Sequence, residues 1–173
     1  MSDNLLRATA LRDRLKTWIQ DAAYPLWWTA GADHTVGGFH EKLTQGGAPV
    51  LGPRRSRVLP RQIFSFALAH ELGWNGPWRE AVEHGLDFYL RAYQRPDGLF
   101  RALVGPAGES LDESAELYDQ AFALFALAAV AKAAPDRASD AKAMAQAVLA
   151  RLTAERKHPG GGFHQSNPPT TPL

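Results

Sequence analysis

Apolar residues recur at helical spacing in five parts of the chain. Between about residues 5 and 23, Leu11, Leu15, Trp18 and Ile19 form one stripe, while Arg12, Asp13, Arg14 and Lys16 face away from it. Tyr24-Pro25 is expected to end this first helix, because a residue preceding proline avoids the helical region. A glycine-rich stretch with two prolines follows, from Trp27 to Leu59, and reads as irregular. A second helix is expected to open near Pro60 and stop at Gly73. Ile63, Phe64, Phe66, Ala67 and Leu72 cover most of its circumference. A third, about 77 to 93, sets Val82, Leu86, Tyr89, Leu90 and Tyr93 against Arg79, Glu80, Glu83 and Asp87. The fourth, about 113 to 133, is apolar nearly all round after Tyr118, which predicts burial. The fifth, about 139 to 155, is amphipathic again, with Met144, Val148, Leu149 and Leu152 opposite Asp140, Lys142, Gln146 and Arg151. Only short extended pieces are expected, around residues 38–42 and 99–104.

Helices one, three and five therefore carry a polar face, and two and four do not. Two concentric layers of helices would produce that alternation, with the even-numbered ones inside. The prediction is an all-α fold of helical hairpins, an α/α toroid, in one domain over residues 1–173 with a proline-rich tail at 165–173.

A repeated phrase gives the period. Gly37-Gly38-Phe39-His40 returns as Gly161-Gly162-Phe163-His164, and a looser copy, Asp97-Gly98-Leu99-Phe100, lies almost midway. The interval of about 62 residues matches one helical hairpin closed by a glycine–aromatic turn. A ring of such hairpins needs roughly six to close, since stacked repeats must cover both open edges. The sequence holds two hairpins and the first helix of a third, so it reads as the N-terminal part of a larger ring. Apolar surface on helices two and four is then expected to be exposed unless another chain covers it, which makes a homo-oligomer an expectation.

Composition narrows the function. Nineteen basic against eighteen acidic side chains give a net charge of +1, which supplies no field for nucleic acid or an anionic membrane. The one basic run, Arg54-Arg55-Ser56-Arg57, reads as local ion pairs, with a phosphate or substrate contact as the alternative. With no cysteine, disulfides and thiolate chemistry are excluded, which fits the cytoplasm. The longest apolar run, Ala121 to Ala131, is too short to span a bilayer. The six histidines form no metal-binding pair, and the glycine turns match neither a P-loop nor a dinucleotide fingerprint. No metal or other cofactor is expected.

Four stretches in order resemble the N-acylglucosamine 2-epimerase family of sugar epimerases and aldose–ketose isomerases. They are Gly37-Gly38-Phe39-His40-Glu41-Lys42-Leu43, Pro60-Arg61-Gln62-Ile63-Phe64, Asp97-Gly98-Leu99-Phe100, and Leu117-Tyr118-Asp119-Gln120-Ala121-Phe122-Ala123-Leu124. The resemblance implies an (α/α)6 barrel and a small sugar as substrate. It implies proton abstraction next to a carbonyl, giving an enediolate that is reprotonated. It also implies roles. Arg61 matches an arginine that points into the barrel beside the reacting oxygens, so it is the expected catalytic and substrate-binding residue. Tyr118 matches a tyrosine lining the same cavity. Asp119 and Gln120 follow it as expected substrate-binding positions, with Gln120 standing where many members have histidine. The family's acid–base histidines sit on later inner helices, one after an Asn-Pro-x-Met-His segment. Asn167-Pro168 resembles the start of that segment, but no Met-His follows. The chain alone is therefore expected to lack the acid–base pair and to be inactive by itself.

Two other readings stay open. An (α/α)6 glycoside hydrolase or lyase would need two facing carboxylates. Asp87, Asp97, Asp112, Glu113, Glu116 and Asp119 are available, and none is paired by the sequence. The third reading is a non-catalytic helical fragment.

Overall fold

The computed structural model describes residues 3–165. Five long helices run through it: α1 (Asp3–Trp18), α2 (Leu59–Ala69), α3 (Trp78–Tyr93), α4 (Leu117–Ala133) and α5 (Ala138–Arg156). They are the five that the hydrophobic spacing predicts. Proline marks three of the starts: Pro60 lies in the first turn of α2, Pro77 precedes α3, and Pro135 opens the single 3₁₀ turn before α5. A missing N–H costs nothing at these positions. The proline-rich tail lies outside the described residues, apart from Gln165.

The first helix does not stop at Tyr24-Pro25. Beyond Trp18 the chain continues as two wide π-helical segments, Ile19–Ala23 and Trp27–Gly31, joined by one α turn, Tyr24–Leu26. A proline inside an α-helix lacks a donor and crowds the carbonyl four residues back. Wide turns on either side change that local spacing and let the helix pass through Pro25.

Packing follows the two-layer expectation. α2 packs against both α3 and α4, and α4 packs against α5. Ile63, Phe66, Leu86, Tyr89, Leu127, Val130, Val148 and Leu152 of these four helices are buried. Each large apolar side chain so removed from water contributes about 1.5–3 kcal/mol.

The exposed apolar surface is only partly where the sequence pattern places it. α4 leaves Tyr118 and Phe125 open along one stripe, but α2 buries most of its apolar residues. The larger exposed set belongs to α1, which buries no residue: Leu5, Leu6, Leu11, Leu15 and Trp18 are all exposed, Trp18 at 60%.

The three repeated phrases close their turns in the same way, the first turn being one residue longer than the other two. Phe39, Phe100 and Phe163 each make an antiparallel bridge, to Ala32, Gln94 and Lys157 respectively. The residue after each phenylalanine donates its N–H back to the helical segment before the turn: His40 to Gly31, Arg101 to Tyr93, His164 to Arg156. Gly38 has a φ of +70° and Gly162 of +74°, backbone that favours glycine.

A small antiparallel sheet joins the segments leading into the inner helices. Its strands are β1 (Arg54–Arg55), β2 (Leu103–Val104) and β3 (Ser110–Asp112), in that order, with Arg54 opposite Val104. It lies close to the predicted extended piece at 99–104. By tying the chain before α2 to the chain before α4, it sets the first turns of those helices side by side.

Candidate functional site

Arg61 lies in the first turn of α2, and Tyr118 and Asp119 in the first turn of α4. The structure brings Arg61 and Tyr118 together and sets Asp119 behind them. Arg61 donates an Nη2–H to the Tyr118 hydroxyl at 3.0 Å. Its guanidinium also sits 3.9 Å from the centre of the Phe122 ring, a close cation–π contact. The two partners fix the planar group, yet Arg61 remains exposed and Tyr118 is half exposed. No carboxylate lies within ion-pair distance of Arg61 among the described residues. The guanidinium therefore keeps donors for a ligand. The N-terminal ends of both helices add their partial positive charge at the same place.

Phe122 was not singled out by the sequence, although it stands one turn from Tyr118. The aromatic wall continues with Phe125 and, across from it on α2, Phe64, whose rings are 4.1 Å apart. Such a surface suits the C–H face of a sugar ring.

Asp119 is fully buried, and neither carboxylate oxygen has a hydrogen-bond partner among the described residues. Its nearest cation is Arg57, whose Nη1 is 3.6 Å from Oδ1, an ion pair longer than a hydrogen bond. Burial pushes the Asp119 carboxyl above the usual carboxylate range, while Arg57 pulls the other way. Asp119 thus lies behind the open surface, not on it.

Gln120 is placed differently from the expectation. It is fully buried, its Oε1 accepts from the Phe100 N–H at 2.9 Å, and its Nε2 donates to the Phe100 carbonyl at 2.7 Å. Buried and bonded to both backbone groups of Phe100, it faces the second turn and not the open surface. Gln62 does related work at the first turn, donating Nε2–H to the His40 carbonyl at 2.9 Å.

The basic run separates into three different environments. Arg54 is buried, donates to the Gly37 carbonyl at 2.8 Å, and pairs with Asp33. Burial alone would raise the Asp33 carboxyl. The amides of Val36 and Thr35 and the Arg54 guanidinium instead hold it below its usual range. Arg55 forks onto both oxygens of Glu41. Only Arg57 reaches toward Tyr118, its guanidinium 6.0 Å from the ring centre, the same distance as that of Arg61.

The histidines lie elsewhere. Nε2 of His84 bonds the Gly38 carbonyl and that of His34 the Trp28 carbonyl, His70 stacks on Trp78, and His158 lies against His164. None hydrogen-bonds to Arg61 or Tyr118. Among the described residues no cluster of three His, Asp or Glu side chains is spaced to hold a metal ion. No described helix is long and apolar enough to cross a membrane.

Comparison with known proteins adds the family. The sequence profile of N-acylglucosamine 2-epimerase (GlcNAc 2-epimerase) matches residues 37–172. A mannose-6-phosphate isomerase of Rhizobium meliloti (strain 1021) is 43% identical over 159 residues, which are 92% of this chain and 41% of that protein. The cellobiose 2-epimerase of Spirochaeta thermophila DSM 6192 superposes with a TM-score of 0.83 at 27% identity, over 99% of this chain and 42% of its own. A D-mannose isomerase shares the fold with a TM-score of 0.78 at 19% identity, over 92% of this chain and 41% of its own. The chain thus spans about two fifths of the length of these proteins. On the span of that profile match, the chain belongs to the N-acylglucosamine 2-epimerase family.

Proposed function

We propose that this chain supplies the arginine wall of a sugar 2-epimerase or aldose–ketose isomerase that works by proton transfer through an enediolate. Removing a proton next to a carbonyl leaves negative charge on the carbonyl oxygen. A cation already fixed beside that oxygen lowers the barrier without reorganising. Arg61 meets this requirement: Tyr118 and Phe122 immobilise it, no carboxylate neutralises it, and it faces outward. The observation that carries the reading is the Arg61–Tyr118 hydrogen bond, which joins the first turns of two inner helices at an open aromatic surface. Tyr118 would orient the arginine and share a sugar hydroxyl, and the Phe64–Phe122–Phe125 wall would take the apolar face of the ring.

We assign no acid–base residue within the chain and no cofactor to the reaction. The cysteine-free composition supports placing the protein in the cytoplasm. The names of the relatives divide between a phosphorylated sugar and free sugars, so the family leaves the substrate's charge open.

Incubation with mannose and with N-acetylglucosamine in heavy water tests the reading, with the C2 proton followed by NMR. Because no acid–base residue is assigned within the chain, retention of that signal is the expected result for the chain alone, and any exchange that does occur should be slowed about a hundredfold or more by Arg61→Ala. Rapid exchange by the folded chain overturns the expectation that it lacks an acid–base pair of its own. An unchanged rate in Arg61→Ala overturns the role given to that side chain.

A further inference from the structure

Arg54, Arg55 and Arg57 stand within four residues of one another, and two of them are saturated. Arg54 is spent on Asp33 and a carbonyl, and Arg55 on both oxygens of Glu41. Arg57 is not. Its side chain is 35% exposed, and its only ionic partner among the described residues is Asp119 at 3.6 Å. It makes no side-chain hydrogen bond among the described residues, although a guanidinium offers five N–H donors in a fixed fork. Arg61 is four residues further on, also exposed, and uses one donor on Tyr118. Two guanidinium groups thus stand at equal distance from one tyrosine ring, with the buried Asp119 carboxylate behind them and Glu116 and Asp112 acting on it from further off. Both helix N-termini reinforce the positive sign.

A neutral sugar can accept hydrogen bonds from such a site but leaves its excess charge in place. A phosphate group satisfies both requirements, since it brings up to two negative charges and three acceptor oxygens that match the guanidinium fork. We propose that the site takes a phosphorylated sugar, with Arg57 as the specificity-determining contact to the phosphate and Asp119 as the positioning residue that holds the inner edge of Arg57. This rests on the sugar-site reading above. It gives Arg57 the anion and leaves Arg61 to the reacting oxygens.

The test is titration of the purified chain with mannose 6-phosphate, mannose and inorganic phosphate, read by calorimetry at low and moderate salt. Mannose 6-phosphate should bind at least about tenfold tighter than mannose, with the preference shrinking as salt rises. Arg57→Met should lower affinity for mannose 6-phosphate at least about tenfold more than affinity for mannose. Arg57→Lys keeps a cation opposite Asp119 while removing the fork, so it guards against a simple loss of folding. It should recover only part of the preference.

Mannose binding without preference for the phosphorylated sugar overturns this proposal and leaves the sugar-site reading standing. A folded chain that binds neither sugar overturns both. A preference that survives in Arg57→Met overturns the assignment of Arg57. Inorganic phosphate binding as tightly as mannose 6-phosphate overturns the sugar-phosphate assignment.

Discussion

The first two glycine–phenylalanine turns and the third close with the same bridge and the same returning N–H, in opposite surroundings. In all three, a phenylalanine bridges back to the preceding helical segment, and the next N–H caps it. Phe39 is buried and stacked on Phe66 of α2, with ring centres 5.2 Å apart. Phe100 is buried and parallel to Tyr89 at 4.5 Å, while Gln120 of α4 grips its backbone. Phe163 is 39% exposed, and no helix follows it among the described residues. The turn is therefore specified locally, by glycine and the bridge. The burial of its phenylalanine is supplied by the helices packed around it, by Phe66 of α2 for Phe39 and by Tyr89 of α3 for Phe100. α2 and α4 carry Arg61 and Tyr118 at their first turns and bond these two turns through Gln62 and Gln120, so each buried turn anchors the end of a helix that presents the site.

The comparison can be broken most directly at the phenylalanines. Phe100→Ala should cost about 3–5 kcal/mol, as a buried aromatic truncation does. Phe163→Ala should cost only about 1 kcal/mol, because part of its area is already in water. Urea unfolding reads both, and equal costs would mean that the third turn is packed as well as the second. The glycines should differ next. A Cβ at Gly38 would lie 2.6 Å from Phe88, on top of the cost of its positive φ, so Gly38→Ala should lose about 2–4 kcal/mol. Gly162 has similar φ but nothing within 4 Å of that Cβ, so Gly162→Ala should lose about 1 kcal/mol.

The smallest effect is one of pH. Burial lowers the His84 imidazole below its usual 6.5, and burial together with Arg54 does the same for His40. Groups with depressed values keep the fold stable above 6.5, since the unfolded chain takes up protons first as pH falls. That stability is lost as pH drops through the lower folded values. The His40 amide, capped on Gly31, should exchange faster relative to the His164 amide as pH falls below 6.5. His84→Gln should flatten the trend. A parallel response of the two amides would show that His40 and His84 do not set the difference.

Much of the fold was legible because its signals are local. Pro60, Pro77 and the Gly-Phe turns punctuate the helices, and the alternation of one-faced and all-apolar segments gives the two layers. The course of α1 was not legible. Pro25 ordinarily ends a helix, and the wide turns that carry the chain past it leave no mark in the apolar spacing. The exposure of Leu11, Leu15 and Trp18 was hidden too, since a stripe records what a helix could bury, not whether a neighbour is there. At the site, Arg61 and Tyr118 came from motif order, and the structure joins them across 57 positions of sequence. That Gln120 is buried against the Phe100 turn was not legible, because an amide in a motif looks the same whether it meets a ligand or a turn. Phe122 was readable in principle from its i+4 spacing to Tyr118. Arg57 was set only inside the basic run, where its difference from Arg54 and Arg55 depends on which carboxylates the fold brings close.

Affinity for mannose, measured by calorimetry on the wild-type chain and on Arg61→Ala, bears most directly on the claim that the first turns of α2 and α4 form a sugar site. Hydrogen bonds from a charged donor are worth about 1.5–3 kcal/mol, so the variant should bind at least about tenfold more weakly with an unchanged melting temperature. Equal affinity in the two proteins would contradict it.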